Sequence, residues 1–512
     1  MVERVIVRPG SYQDSARLMK IARELSHVPR IVSADVMMGT PANLELLAEA
    51  GFPRAALAGA TPMDMVAALR SADENAFAVA QERLTFLLAG ESGETKSADP
   101  GSRPVGVADA VRSHPDANLV SIAVPGTYAA FVASRALDAG RNVFLFSDNV
   151  ALAEEVALKA RGRASSLLVM GPDCGTAIIG GVGLGFANRV PRGPVGIVGA
   201  SGTGTQEVCC LLSRLNVGIS HAIGTGSRDL SAAVNGMMSE FALRLLADDD
   251  ATRVVVLVAK HPAREVADRL HGVLASLGKP VVVRYLGERA RPTADGVVYA
   301  ETLDEAAEVA AANAGVTSAC QDKWIPGPVE SAWDGVTVAG RLVGLFGGGS
   351  LAAEAQHVLA TRGIETTVPP DPLVPGQAIP GTGHLVVDTG DDAYTVGRPH
   401  PMVDQTVRCG LIRAAGVDQS VGLVLLDLVL GDGAHPDPAP DIVAAVADAR
   451  ATRRDRRLAV VCSVCGSVSD PQDIERQVAV LDAGGIHATS TAAQAAHLAA
   501  TLLGQPRERS TR

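Results

Sequence analysis

The sequence predicts an α/β protein in which tandem, doubly wound parallel-sheet domains follow a small α+β N-terminal module. Apolar residues make up 47% of the 512 residues and aromatic residues 3%, so the cores must consist of Val, Leu, Ile and Ala, as in buried parallel strands. From residue 105 onward, short apolar runs alternate with helical segments, which is typical of parallel strands joined by right-handed crossovers. A chain of this length is divided on average into about three domains.

The N-terminal module is predicted within residues 1–90. Its elements are strands at 5–7, 31–38 and 65–69 and helices at 11–25 and 41–50. Residues 90–104 are rich in Gly, Ser and charged residues and have the composition of a linker.

The rest of the chain is predicted to form three α/β domains, at 105–192, 193–315 and 338–505. Residues 316–337, which contain both Trp residues, are interpreted as a connector. The ten strand candidates lie at 119–124, 142–146, 166–170, 194–198, 254–259, 280–284, 342–346, 384–388, 421–427 and 458–462.

One segment of the last domain, residues 369–383, cannot be a helix or a central strand. Its five prolines remove five backbone N–H donors. The segment is therefore either a lid over a site or a plain surface excursion, and the sequence leaves both interpretations open.

Composition excludes several functional classes. The net charge of −11 argues against general nucleic-acid binding, which needs a basic face, and the few aromatic residues argue against base stacking. No apolar run reaches the ~18 residues of a membrane span, and the start of the chain lacks the apolar stretch of a signal peptide. The seven cysteines show no disulfide spacing, so we expect a reduced cytoplasmic protein without a metal, nucleic-acid or membrane partner.

The strongest local motif is a strand that runs through a turn of small residues into a helix. Ser201, Gly202, Thr203 and Gly204 form this turn, and an apolar helical pattern follows. Backbone N–H groups at a helix N-terminus converge on an anion, and the helix dipole favours negative charge there. The motif therefore predicts phosphate binding; the alternative is an ordinary turn with a Ser or Thr cap.

The same arrangement recurs in the last domain. A strand at 342–346 meets Gly347, Gly348, Gly349 and Ser350, and a helix follows. This turn is a second candidate for phosphate binding, although glycines also serve tight turns that need positive φ.

Three polar side chains follow strands and are candidates for catalysis. His221 lies in the next strand of the first motif's sheet, Lys260 follows the strand at 254–259, and His400 lies between two prolines. Ligands bind at strand carboxyl ends in open α/β sheets. A lysine there can neutralise a phosphoryl oxygen, and a histidine can polarise a carbonyl or move a proton. The alternatives are a core histidine and a solvated lysine.

The cysteines are interpreted as structural. Cys462 and Cys465 form a single CxxC pattern after a strand candidate, and without a second pair a zinc site is not expected. They are predicted to lie in a turn at the strand end, and Cys209 and Cys210 to lie in the core.

Several blocks resemble known families. Residues 119–290 resemble the α subunit of succinyl-CoA synthetase, and 340–505 resemble the C-terminal domain of its β subunit. The resemblance implies that 105–192 is a CoA-binding-like Rossmann domain and that the two later domains are flavodoxin-like. It also implies CoA-binding-like residues, which are Pro125, Gly126, Thr127, Gly171, Pro172, Asp173 and Cys174.

The whole chain resembles the FdrA family of acyl-CoA-synthetase-like proteins. The resemblance rests on four blocks, at 10–15, 36–43, 220–226 and 397–402. This family is associated with an oxamate carbamoyltransferase that has two other subunit types and serves purine (allantoin) breakdown.

The chain departs from succinyl-CoA synthetase at three points. The phosphorylated His of that family has no counterpart after Arg284, Lys260 stands in place of a Glu, and no segment is long enough for an ATP-grasp domain. The resemblance therefore implies a subunit that uses a preformed acyl phosphate, with carbamoyl phosphate as donor and an oxamate-like acceptor, in an oligomer with other subunits. The alternatives are an NDP-forming acyl-CoA ligase subunit that needs a separate ATP-grasp chain, with CoA as ligand, and a non-catalytic scaffold that binds CoA or phosphate.

Overall fold

The structure, a computed structural model, describes residues 2–13, 15–26, 28–89, 104, 106–315, 337–395, 398–454 and 457–504. The chain divides into two compact units. The smaller comprises Met1–Ser113 with Val396–Pro399, and the larger comprises His114–Thr395 with His400–Arg512. Most of the predicted linker at 90–104, most of the connector at 316–337, and Gly397 lie outside the described residues.

The smaller unit is an antiparallel three-stranded sheet with helices, which confirms the predicted α+β module. The strand order is β1-β3-β2. Almost all residues of β3 are buried, because this strand is central. The strands are β1 Val2–Arg8, β2 Ile31–Met38 and β3 Met65–Ser71, and the helices are α1 Ser15–Ser26, α2 Pro41–Glu49, α3 Arg54–Leu57, α4 Glu74–Ala89 and α5 Val107–Ser113.

The larger unit begins with a parallel sheet of three described strands, β4 Leu119–Ile122, β5 Asn142–Leu145 and β6 Val169–Met170, in the order β4-β5-β6. Helix α6 Gly126–Asp138 follows β4, and α7 Leu152–Ala164 follows β5. Small residues let α6 pack closely, since its buried side is mostly alanine.

A seven-stranded sheet follows, in the order β13-β12-β11-β9-β10-β7-β8. The hairpin β7–β8 is antiparallel. The sequence pattern does not predict it, because each strand has four residues and β8 contains two glycines. The bounds are β7 Thr176–Ile179, β8 Val182–Gly185, β9 Arg192–Ala200, β10 Ile219–Gly224, β11 Val254–Lys260, β12 Val281–Leu286, β13 Val297–Tyr299, α8 Gly202–Arg214, α9 Met237–Asp248, α10 Arg264–Ala275 and α11 Leu303–Asn313.

The third sheet of the larger unit is fully parallel, in the order β15-β16-β14-β17-β18-β19. With the preceding sheets it confirms the predicted α/β class. The bounds are β14 Arg341–Phe346, β15 Thr366–Thr367, β16 His384–Asp388, β17 Val421–Val429, β18 Ala459–Cys465, β19 His487–Thr489, α12 Gly349–Thr361, α13 Asp392–Thr395, α14 Thr406–Val417, α15 Ala439–Ala451, α16 Ile474–Ala483 and α17 Ala492–Leu502.

Helix α8 joins the two larger sheets. Residues 203–212 of this helix are all buried, and one hydrophobic core contains side chains from α8, α11, α12 and α17 together with strands of both sheets. A helix buried on all sides must pack against more than one element. The seven-stranded and six-stranded sheets are therefore parts of one packed body.

A buried ion pair crosses the same interface. Arg284, at β12, donates from Nη2 to Glu354 Oε2 of α12 at 2.7 Å, and both side chains are fully buried. The second carboxylate oxygen of Glu354 accepts the backbone N–H of Leu303 at 2.6 Å. Because each charge meets a partner, Arg284 fixes the middle of β12 against α12.

The structure corrects the prediction for the CxxC pattern. Cys462 and Cys465 lie inside β18 and are buried, not in a turn. Burial raises the pKa of Cys462 to about 12, so its thiol is not nucleophilic near neutral pH. Cys209 and Cys210 are fully buried in α8, as predicted.

The proline-rich segment at 369–383 is anchored to the amino-terminal side of the six-stranded sheet. Arg341, at the start of β14, donates hydrogen bonds to the carbonyl oxygens of Ile379 and Pro380, and Leu373 and Ile379 are buried in the core. The Gly-rich turn at 347–350 lies at the other end of β14. This arrangement supports the surface-excursion interpretation and not a lid over that turn.

Candidate active site

Two helix N-termini meet at the centre of the larger unit. The hydroxyl oxygens of Ser201, before α8, and Ser350, in the first turn of α12, lie 2.6 Å apart and share a hydrogen bond. The side chain of Ser201 accepts no capping hydrogen bond from α8, and the cap residue of α12, Gly348, has no side chain that could accept one. The two predicted phosphate motifs therefore form one site, and their first-turn N–H groups are available to an anion.

Thr203 lines this site with an unused hydroxyl. Its Oγ1 is buried and has no hydrogen-bond partner among the described residues. A Cβ added to Gly348 would lie 2.7 Å from this oxygen, so the hydroxyl faces the opposite helix N-terminus. Buried hydroxyls without partners are uncommon in folded proteins. We call the group of Ser201, Thr203, Gly349 and Ser350 the cradle.

Lys260 and Asp388 close one side of the cradle. Lys260 is the last residue of β11, Asp388 is the last residue of β16, and their charged atoms are 3.9 Å apart. A Cβ added to Gly349 would clash with the Asp388 carboxylate and would lie 2.5 Å from Lys260 Nζ. Gly349 therefore lets an ammonium and a carboxylate reach the N-terminus of α12.

The protonation of Asp388 is set mainly by desolvation. Burial raises the pKa of its carboxyl to about 6, and the Lys260 ammonium opposes this rise. Its Oδ1 accepts the backbone N–H of Gly390 at 2.9 Å. Asp388 is thus a carboxylate that can take up a proton near neutral pH.

His400 approaches the same place from the loop before α14. Its Nδ1 accepts the backbone N–H of Met402 at 3.2 Å, and a Cβ added to Gly390 would lie 2.6 Å from its Nε2. Burial and the nearby Arg408 lower the pKa of His400 to about 4. The ring is therefore neutral at pH 7, and because Nδ1 accepts, the proton resides on Nε2.

The N–H groups of Gly347 and Gly348 already hold an anion of the protein itself. They donate to Asp427 Oδ1 and Oδ2 at 2.7 and 2.8 Å, and Arg408 donates to the same carboxylate. This corrects the prediction that Gly347 and Gly348 bind phosphate. Asp427 is fully buried and fixes the turn that presents Gly349 and Ser350.

Asp173, predicted as CoA-binding, accepts a 2.6 Å hydrogen bond from Ser227. Desolvation raises the pKa of Asp173, Ser227 opposes the rise, and the charges that act on it include Lys260 and Asp392. Asp173 is therefore within electrostatic range of Lys260.

The structure does not bring His221 to the cradle. It lies in the middle of β10 and pairs with Gly196, whereas Ala259, next to Lys260, pairs with Ala200. Four residues along a strand correspond to ~13 Å. His221 Nδ1 accepts the N–H of Gly180, and Nε2 lies 3.8 Å from Asp249. The prediction of a catalytic role for His221 is corrected, because the residue faces the amino-terminal side of the sheet.

Three of the other CoA-binding-like residues, Gly126, Gly171 and Cys174, are used for packing. Cβ atoms added to Gly126 or Gly171 would clash with backbone carbonyl oxygens, those of Asp148 and Leu145. Burial raises the pKa of Cys174 to about 12, and its thiol donates to the carbonyl of Thr176. These glycines allow two segments of the chain to approach each other closely. Their presence is thus explained by packing and is not evidence of a space for a pantetheine or nucleotide moiety. Pro125, Thr127 and Pro172 lie in the same turns, at the carboxyl ends of β4 and β6.

Sequence reasoning missed the buried support of the site. Arg408 lies inside α14 and binds Asp427, and no local pattern in the sequence distinguishes it from a surface arginine. Asp388 was visible as an acidic residue after a strand, but its pairing with Lys260 depends on how two separate sheets meet.

Family models match three parts of the chain. The model "AllF, heavy metal-associated domain" matches residues 1–104, "CoA binding domain" matches 192–284, and "CoA-ligase" matches 345–502. The CoA-binding match covers the strands that carry Ser201 and Lys260, downstream of the 105–192 segment for which a CoA-binding-like domain was predicted.

The name of the first model implies a metal, but the donor set does not fit a soft metal. Residues 1–104 contain no cysteine and one histidine, His27, which lies outside the described residues, and thiolate and imidazole are the usual ligands of such metals. In the described part of the chain, no group of three His, Cys, Asp or Glu side chains could hold a metal ion. No described helix is long and apolar enough to span a membrane.

Relatives extend over most of the chain. YahF of Escherichia coli (strain K12) is 34% identical over 508 residues, which cover 96% of this chain and 97% of that protein. The succinate–CoA ligase [ADP-forming] subunit alpha 2 of Archaeoglobus fulgidus is 32% identical over 41% of this chain and 76% of its own. A solved dinucleotide-forming acetyl-coenzyme A synthetase 1 of Ca. Korarchaeum cryptofilum covers 75% of this chain and 82% of its own, with 18% identity and a TM-score of 0.32.

Full-length similarity to YahF and the three domain matches agree with the four sequence blocks at 10–15, 36–43, 220–226 and 397–402. The CoA-ligase and CoA-binding matches place the larger unit in the succinyl-CoA synthetase superfamily. The chain belongs to the FdrA family of acyl-CoA-synthetase-like proteins.

Proposed function

We propose that the protein is an enzyme subunit that transfers the acyl group of an acyl phosphate, with carbamoyl phosphate as donor and an oxamate-like amide as acceptor. The observation that carries the proposal is the meeting of two uncapped helix N-termini beside Lys260. Ser201 and Ser350 join the two helices, and Thr203 adds a hydroxyl without a partner. Partial positive charge from both helices and the full charge of Lys260 favour a dianionic phosphate.

In this proposal the phosphate group lies in the cradle and leaves as inorganic phosphate. The first-turn N–H groups of α8 and α12 would bind its oxygens, and Lys260 would neutralise the charge that grows as the C–O bond breaks. His400, neutral with its proton on Nε2, would donate a hydrogen bond to the carbamoyl oxygen and polarise it.

The segment after Arg284, where the resemblance to succinyl-CoA synthetase would place a phosphorylated histidine, contains no histidine through Ala300. Arg284 itself lies inside β12 and is held by Glu354, and Tyr285 and Leu286 after it are buried. This difference from the family supports a preformed acyl phosphate as donor. Transfer from carbamoyl phosphate needs no covalent protein intermediate, because the donor already carries an activated carbonyl.

The CoA-ligase and CoA-binding matches favour a second candidate, an acyl-CoA ligase subunit that works with a separate ATP-grasp chain. Gly126 and Gly171 approach backbone carbonyls of their own chain closely, whereas the cradle carries the free helix N-termini and the lysine that suit phosphate. The cradle therefore favours the first candidate.

The two candidates are separated by ligand binding to the full chain. Carbamoyl phosphate and phosphate are expected to bind and, at about 100 times Kd, to stabilise the protein by about 2.7 kcal/mol. CoA and ATP–Mg are expected to give no shift. Binding of CoA without phosphate binding would reject the transferase and favour the ligase.

A matched pair of lysine variants tests the site. Lys260→Ala should weaken phosphate binding at least ~10-fold in isothermal titration, because a hydrogen bond to a charged group contributes about 1.5–3 kcal/mol. Lys279→Ala is the control. Lys279 binds the carbonyls of Leu246 and Asp249 near the amino-terminal side of the sheet, so its loss should leave phosphate affinity unchanged. Equal affinities of Lys260→Ala and the unmutated chain would contradict the assigned role.

A further inference from the structure

We propose that Asp388 is the catalytic base for the acceptor, and that the space between Asp388 and Lys260 receives an amide or ureido nitrogen. This inference rests on the proposed function and adds the residue that accepts the proton and the place where the acceptor nitrogen binds. It follows from which oxygen and nitrogen atoms around the cradle still lack hydrogen-bond partners.

Among the described residues, one carboxylate oxygen of Asp388 accepts a hydrogen bond and the other does not. Oδ1 accepts the N–H of Gly390. Oδ2 lies 3.9 Å from Lys260 Nζ, which is beyond hydrogen-bond distance. Both groups keep 29% of their side chains exposed, so a ligand atom can reach them. An N–H donor fits Oδ2, and an oxygen carrying negative charge fits Nζ.

The other titratable groups around the cradle are already engaged. Both oxygens of Asp427 accept glycine N–H groups, and Arg408 binds the same carboxylate. His400 presents a proton and not a lone pair at Nε2, because Nδ1 accepts from Met402. Asp173 accepts from Ser227 through Oδ2. Among these carboxylates, Asp388 is the one with a free oxygen that lies at the N-terminus of α12 beside Lys260.

In the proposed step, one bond forms and one breaks at the carbonyl carbon, and one proton moves to Asp388. The amide nitrogen of the acceptor attacks the carbonyl carbon of carbamoyl phosphate, and a C–N bond forms. The bond between that carbon and the bridging oxygen breaks, and phosphate leaves with the electron pair. The proton on the attacking nitrogen passes to Asp388 Oδ2 and from there to the departing phosphate or to water.

The charges that face Asp388 predict the pH dependence of this step. Lys260 from β11 favours the carboxylate, while Asp427 from β17 and Asp391 from the adjoining loop disfavour it, and burial raises the pKa to about 6. His400 stays neutral through this range. Acceptance of an N–H by Asp388 therefore needs a pH above about 6.

The test uses the full chain with saturating inorganic phosphate and oxamate as the titrated probe. Oxamate is expected to bind at pH 7.5, and its affinity should fall at least ~10-fold between pH 7.5 and pH 5. Asp388→Asn should bind phosphate at least as tightly as the unmutated chain, because it removes a negative charge beside the cradle. It should bind oxamate at least ~10-fold more weakly at pH 7.5 and should lose the pH dependence. The control Asp371→Asn changes an exposed residue of the proline-rich segment at 369–383, away from the charges that act on Asp388, and it should bind oxamate like the unmutated chain.

Each result decides one of the two proposals. If phosphate does not bind to the unmutated chain, the proposed function fails. If phosphate binds but oxamate does not, or if Asp388→Asn binds oxamate with unchanged affinity and pH dependence, the role of Asp388 is overturned while the phosphate site stands.

Discussion

At the scale of single residues, the site depends on glycines that make room for charges. Gly349 and Gly390 occupy points where a side chain would displace Lys260, Asp388 or His400. Such positions differ from turn glycines, whose role is to adopt positive φ. Substitution by alanine therefore acts on the ligand site first and on the backbone second.

Gly349→Ala should lower phosphate affinity at least ~10-fold, because the new Cβ would push Asp388 and Lys260 out of place. Isothermal titration with phosphate measures this effect. The matched control is Gly272→Ala in α10, where a Cβ meets open space. That variant should be more stable by about 0.5–1 kcal/mol with unchanged phosphate affinity, and an equal loss of affinity in both variants would argue against the steric explanation.

The sequence predicted part of this site. Ser201, Thr203, Ser350 and Lys260 were identified because strand–turn–helix patterns and strand ends are local features. The sequence did not show that the N–H groups of Gly347 and Gly348 are satisfied by Asp427, because that contact spans about 80 positions and depends on the parallel pairing of β14 and β17. The sequence likewise did not show that His221 lies four strand positions below the carboxyl end of the sheet, where Lys260 lies.

At the scale of secondary-structure elements, the strands with dense Val and Leu runs were predicted within a few residues of their bounds. Burial on both faces makes such runs visible in the sequence. The short elements β7, β8, β13, β15 and β19 were missed. They have two to four residues and owe their extended form to pairing with a neighbouring strand.

The ion pair between β12 and α12 predicts a large effect on stability. Glu354→Gln leaves Arg284 as an uncompensated buried charge, and loss of one partner of a buried pair costs about 3–5 kcal/mol. The free energy of unfolding in urea is the measurement. The control Asp448→Asn breaks an exposed pair with Arg413 and should cost about 0–1 kcal/mol. Similar losses in the two variants would contradict the importance of burial.

The packing of α8 against α11 predicts a pH dependence. Burial raises the pKa of Asp304 to about 7, and Glu207 of α8 is a buried acid with a strongly raised pKa. Asp304 Oδ1 and Glu207 Oε2 have no hydrogen-bond partner among the described residues. The folded state therefore holds protons that the unfolded chain has released above its ordinary carboxyl pKa.

The sign follows from this difference. Between about pH 4 and pH 7 the folded state binds more protons than the unfolded state, so the free energy of unfolding should fall as the pH rises, by up to about 1.4 kcal/mol per pH unit for one proton. Asp304→Asn should reduce this slope, whereas Asp250→Asn, at an exposed turn residue, should not. Unfolding in urea at several pH values measures the slopes, and an unchanged slope in Asp304→Asn would refute the assignment.

At the scale of the whole molecule, the two compact units have separate hydrophobic cores. The core of the smaller unit is formed by residues of α1, α4 and its three strands, and the candidate ligand site lies entirely in the larger unit. A ligand stabilises only the folded unit that binds it. Two compact units and one site therefore predict that heat or denaturant unfolds the chain in two transitions, and that phosphate raises the midpoint of one of them.

Leu69→Ala tests this division. Leu69 lies in the central strand β3 and is fully buried, and its truncation should destabilise the smaller unit by about 2–5 kcal/mol. Calorimetry should show one transition moved to lower temperature, while the other keeps its midpoint and its phosphate-induced rise. The complementary variant Leu425→Ala, in the fully buried strand β17 of the larger unit, should move the phosphate-sensitive transition instead. A single transition that moves as a whole in both variants would show that the units unfold cooperatively, and phosphate binding would then stabilise the N-terminal module as well.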